Sequence, residues 1–90
     1  MNTLEVVHLR LAGDDIDQLA EVVRQAVGDI SRSNSVRIYR HARVENDLLI
    51  HIHRGETSGD EKASELGLQL ASLLRIYGLV EHSVWVQVPD

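Results

Sequence analysis

Ninety residues, 43% apolar and 26% charged, suffice for one domain with one core and not for two. The composition is that of an ordinary folded chain, and without cysteine it excludes disulfides, thiolate metal ligands and Cys nucleophiles. The net charge of −5 speaks against wholesale phosphate binding. The opening MNTLEVVHLRLAG lacks the basic-then-apolar order of a signal peptide. No stretch reaches the ~18–20 apolar residues of a membrane span, so a cytoplasmic location is the default expectation. The core must be aliphatic, because there is no Phe and only Tyr39, Tyr77 and Trp85 carry large rings. Small cores of that kind are often supplemented by oligomerisation.

Residues 4–11, LEVVHLRL, read as a strand with Val7, Leu9 and Leu11 on its buried side and Val6, His8 and Arg10 outward. Asp14 is a plausible N-cap for a helix whose apolar face is Ile16, Leu19, Ala20, Val23, Ala26, Val27 and Ile30. SRSNS (31–35) is a loop. VRIYRHARV (36–44) alternates Val36, Ile38, Ala42 and Val44 against Arg37, Tyr39, His41 and Arg43, with Arg40 breaking the apolar side. LLIHIHR (48–54) alternates Leu48, Ile50 and Ile52 against Leu49, His51 and His53. A hairpin must bring the two patterns into one phase. An odd loop of about three residues does so and places His41 opposite His51, and one of about five places it opposite His53.

Ser58 with Glu61 forms a capping-box pattern for a second helix, with the stripe Ala63, Leu66, Leu70, Leu73, Leu74 and Tyr77 and with Gly78 as its stop. HSVWVQV (82–88) alternates Val84, Val86 and Val88 against Ser83, Trp85 and Gln87. The order βαββαβ with right-handed crossovers gives an α+β sandwich over residues 1–90. Four antiparallel strands in spatial order 4-1-3-2 carry two helices on one face, the ferredoxin-like superfold. That superfold hosts many functions and selects none of them.

The open face then collects His8, Arg10, Arg37, Tyr39, His41, Arg43, His51, His53, Trp85 and Gln87, the candidate ligand- or partner-binding set, with four of the five histidines together. Charge follows the same partition. Residues 32–54 hold five arginines against Glu45 and Asp47, while the remainder holds four basic and twelve acidic residues. A merely solvated sheet face, which needs a polar residue at every second position, accounts for this pattern as well as a binding site does.

Several functional readings compete. His-X-His on a strand sets two imidazoles ~6.6 Å apart at Cα, close enough to share a metal with His8 or His41, but Arg10, Arg37 and Arg43 repel a cation and only Glu5 lies near. Whether a metal binds stays open, and no cofactor or catalytic residue is assigned. His51-Ile52-His53 resembles the His-hydrophobic-His motif of single-strand nucleases of the relaxase and replication-initiator kind. That resemblance implies a metal-dependent phosphodiesterase with a helical tyrosine nucleophile. Tyr77 is the only tyrosine placed on a helix, and it is better suited to sealing the end of the core. RNA-recognition modules put their aromatics on the central strands, whereas Tyr39 and Trp85 fall on outer ones, so nucleic acid is not the expected partner.

The topology and length are similar to the dimeric α+β barrels of the stress-responsive and antibiotic-biosynthesis monooxygenase-like proteins. That likeness implies a homodimer with Trp85, Tyr39 and Val6 at the interface and a His/Arg-lined pocket for a small anionic or phenolic ligand. Pairing through an edge strand, 36–44 or 82–88, is the other route to self-association. The favoured expectation is a binding or assembly module that forms a homo-oligomer through its open sheet face, with an enzyme as the alternative. Crowding by arginines should lower the pKa values of the histidines on that face.

Overall fold

Alternating apolar residues become four strands and two apolar stripes become two helices in a computed structural model, which describes residues 2–11, 16–28, 35–44, 46–56 and 63–89. In chain order they are β1 (Asn2–Leu11), α1 (Ile16–Val27), β2 (Ser35–Arg40), β3 (Asp47–Glu56), α2 (Glu65–Leu74) and β4 (Gly78–Val86). All pairings are antiparallel. Across the sheet the order is β2-β3-β1-β4, which reads 4-1-3-2 from the opposite edge, so β1 and β3 are central and β2 and β4 are edges. No described helix is long and apolar enough to cross a membrane.

Period-two alternation sends Val7 and Leu9 of β1 and Leu48, Ile50 and Ile52 of β3 to one face. There they meet Leu19, Ala20, Val23 and Val27 of α1 and Leu66, Leu70, Ala71 and Leu74 of α2 in one buried cluster. Each large aliphatic side chain so buried stabilises the fold by about 1.5–3 kcal/mol before entropy is counted. Arg40, which interrupts the apolar phase of β2, escapes burial at the sheet edge and lies 3.6 Å from Asp17 of α1.

α2 begins later than the capping-box pattern indicates. Its N-cap is Ser64, whose Oγ accepts from Gly67 N at 2.9 Å; Ser58 and Glu61 lie outside the described residues, as do Asp14 and Ile30 around α1. The small residues Gly67 and Ala71 join the buried stripe, while Leu73 is partly exposed and Tyr77 is 39% exposed, so Tyr77 does not seal the core. Gly78 is not a helix stop, because the helix ends with Arg75 as a right-handed C-cap. It opens β4 instead, where a Cβ would overlap the backbone carbonyl of Arg10. Lacking that atom lets β4 start four residues earlier than the alternation of 82–88 indicates.

The β2–β3 hairpin also departs from expectation. β2 stops at Arg40, and the register pairs Tyr39 with Leu49, Arg37 with His51 and Ser35 with His53. His41 pairs with neither His51 nor His53. Its Nδ1 accepts from the backbone N–H groups of Arg43 and Val44, both at 3.0 Å. A side chain that satisfies local donors competes with the ladder and turns the chain. His41 and Arg43 are therefore turn residues, not members of the sheet face.

Candidate functional site

The strand register writes the open face as rows. His53, Leu4 and Trp85 form the first; Arg37, His51, Val6 and Ser83 the second; Tyr39, Leu49, His8 and Glu81 the third; Asp47, Arg10 and Leu79 the fourth. Arg37 and Tyr39 stand on the β2 edge and Trp85 on the β4 edge, with Gln87 just past the end of β4. Trp85 is 60%, Leu79 74% and Tyr39 43% exposed, and between them Leu4, Val6 and Leu49 are half-buried. The face is thus a floor of aliphatic side chains with rings and charges around it.

Its charge is more balanced than the sequence indicates. Asp47, which reads as a loop residue, is the first residue of β3 and points to the open side. Its Oδ2 lies 3.3 Å from His8 Nε2 and its Oδ1 3.5 Å from Arg10 Nε, and that Oδ1 is buried without a hydrogen bond. Glu81 stands opposite His8 on β4. Among the described side chains, the carboxylates on this face are therefore Asp47 and Glu81. Glu5, the one expected nearby, points the other way.

His51 sits between Tyr39, at a ring-centroid distance of 4.9 Å, and His53, at 6.2 Å. Burial, and second the neighbouring His53, hold its pKa below the ordinary imidazole value. The expected direction holds for this residue, but the cause is lost hydration and not the arginines. Because the unfolded chain takes up this proton at higher pH than the folded one, His51 makes stability rise with pH. Its contribution is lost as pH falls below ~6.5 through the folded value. An NMR titration should give His51 a midpoint under that of a denatured control, and His51→Phe should flatten the acid limb of stability against pH. A midpoint at or above the control contradicts this.

The described residues do not assemble the metal or nuclease readings. Among the described residues, no three His, Asp or Glu side chains are placed to hold a metal ion. Tyr77 precedes Gly78, which pairs with Leu11, while His51 pairs with Val6 and His53 with Leu4. At ~3.3 Å per residue, those pairs lie about 16 Å and 23 Å farther along β1. A tyrosine that far away cannot share a scissile phosphate with the imidazoles.

The helix-covered side holds a cluster that the sequence reading missed. Glu5, 0% exposed, aims its carboxylate at the start of α2. Oε2 is 2.6 Å from His82 Nε2, both oxygens accept from the Ser64 backbone N–H at 3.1 Å, and Arg54 Nη1 lies 3.7 Å from Oε1. Gly67 leaves the space: a Cβ there would overlap the carboxylate and come within 2.8 Å of His82 Nε2. The arrangement places an anion at the positive end of a helix and gives it two basic partners. The signal was present in phase, since Glu5, Arg54 and His82 all occupy core-facing positions of their strands. Compared with known proteins, the chain matches no protein family, no curated protein and no solved structure.

Proposed function

We propose that this chain is a ferredoxin-like assembly module whose open sheet face docks a second copy of itself. The observation that carries the reading is the self-complementary layout of that face. Aromatic and aliphatic residues span all four strands, with Arg37 on one edge strand and Glu81 on the other. A twofold axis lying between two such faces, parallel to the strands, sets β2 of each copy against β4 of the other. Each Arg37 then lies one row from the partner's Glu81, Arg10 faces the partner's Asp47, and Leu4, Val6 and Leu49 pack beside the axis against the partner's His53, His51 and His8, an isologous contact as a two-fold interface requires. Burying the basic groups, costly without counter-charges, is offset by Asp47 and Glu81.

The area is modest. Strands ~4.8 Å apart and ~3.3 Å per residue make a face of about 19 Å by 26 Å, so two copies bury on the order of 1,000 Å², near the lower limit for a specific interface. The association is accordingly micromolar or weaker. Sedimentation equilibrium from about 1 to about 500 µM should show the average mass climbing toward the dimer. Trp85→Ala should weaken it about ten-fold, the loss of one aromatic anchor. A monomer throughout that range, or a dimer indifferent to Trp85, rules the open-face reading out; the latter result directs attention to the β2 and β4 edges. One observation favours a second reading, a ligand-binding or enzymatic dimeric α+β barrel: the face has a cavity at its Leu4 end.

A further inference from the structure

We infer that the cavity at the Leu4 end of the open face is a binding site for a flat aromatic molecule bearing an anionic or hydrogen-bond-accepting group, held between Trp85 and His53. The cavity measures about 490 Å³ and is lined by Asn2, Leu4, His53, Trp85 and Gln87, with Thr3 and Val86 at its back. That volume falls within the ~300–1,000 Å³ typical of small-molecule sites.

Leu4 pairs directly with His53 on one side and with Trp85 on the other, so the two rings stand on strands two positions apart, ~9.6 Å between backbones. Allowing for the half-thickness of each ring leaves about 6 Å above the Leu4 side chain. One flat ring, ~3.4 Å thick, enters that gap, and small rotations of the walls close on it. The indole is not loose, because Trp85 Nε1 donates to Ser83 Oγ at 2.8 Å, which ties the ring along its strand. Ordering a wall before the ligand arrives reduces what binding must spend on entropy.

Polar character at the rim sets the sign. Among the described residues that line it, none carries a carboxylate. The side-chain amides of Asn2 and Gln87 and the His53 imidazole supply donors. The Gln87 backbone N–H donates to the Asn2 carbonyl at 2.8 Å, which fixes the two amide-bearing residues side by side at one end. The β1–β3 register shifts between Asn2 and Leu4. A shift of this kind, as at a β-bulge, re-aims the side chains beside it, and β-bulges are over-represented at sheet edges and next to active sites. An aromatic acid matches every one of these features, while an aliphatic acid lacks the stacking and an aromatic cation lacks the acceptor.

The site belongs to one protomer and does not rest on dimerisation. Its test is a titration of the full chain with 2-naphthoate, cyclohexanecarboxylate and 2-naphthylmethylammonium in turn. Readouts are the NMR shifts of the indole N–H of Trp85, the only tryptophan, and of the His53 ring. The inference expects saturable shifts at both residues with naphthoate and about ten-fold weaker binding of the other two probes. It also expects about ten-fold weaker naphthoate binding in each of Trp85→Leu and His53→Ala, both exposed positions whose replacement spares the core. No saturable shift, equal binding of cyclohexanecarboxylate, or indifference to both substitutions overturns it. Titration at a concentration where sedimentation shows the monomer, with the face uncovered, separates the two ideas: a chain that binds naphthoate there and never dimerises removes the assembly reading alone, and one that dimerises on concentration but does not bind naphthoate as the monomer removes the aromatic site alone.

Discussion

Glu5→Ala is expected to cost about 3–5 kcal/mol of folding stability, the usual penalty for removing one partner of a buried ion pair. The loss arises in what stays behind. His82 and Arg54 keep their places without the carboxylate, and the Ser64 backbone N–H loses its acceptor at the first turn of α2. A domain of this size holds roughly 5–13 kcal/mol in total, so the substitution removes a large share. Urea unfolding followed by circular dichroism measures it. A cost under about 1 kcal/mol, the figure for an exposed pair, contradicts the account of Glu5 as the fastening of α2 to the sheet.

Gly67→Ala should be the second large effect, and its sign depends on Glu5. In an exposed helix interior alanine is better than glycine by about 1 kcal/mol. Here the added methyl meets a carboxylate that cannot swing away, being held by His82, Ser64 and Arg54. Overpacking of this kind costs about 1–3 kcal/mol. With Glu5→Ala already in place only the tip of the His82 ring, 2.8 Å away, has to shift, and Gly67→Ala should become neutral or stabilising by up to about 1 kcal/mol. A double-mutant cycle by denaturant unfolding reads the reversal. Additive effects would mean that Gly67 is glycine for some other reason.

These two residues also show where the sequence was legible. Element order, strand phase and most of the core follow from apolar spacing, because a period of two or of 3.6 needs no knowledge of partners. The rows of the open face follow in part for the same reason, as with Arg37, Tyr39, His51, His53 and Trp85. Register was less legible. Where β2 ends depends on one imidazole nitrogen of His41 accepting two backbone N–H groups, and alternation through residue 44 hides that turn. Asp47 was misplaced with it, and so the counter-charge of the face went unseen.

The Glu5 cluster was legible only as a set of misfits. Glu5, Arg54 and His82 each sit in core phase within apolar strands, and Gly67 sits inside an apolar helical stripe. Each alone reads as noise, and only tertiary contact shows that the four share one location. Local rules broken together tend to mark such places.

The central proposal, a face that binds its own copy, is tested most directly by charge exchange across the twofold axis. Sedimentation equilibrium should compare the native chain with Arg37→Glu, with Glu81→Arg and with the two combined. Each single exchange is expected to weaken dimerisation about ten-fold, by setting like charges against each other, and the double exchange should recover to within about three-fold of the native value. Native protein that stays monomeric to about 500 µM, or exchanges that leave the dimer unchanged, would contradict it.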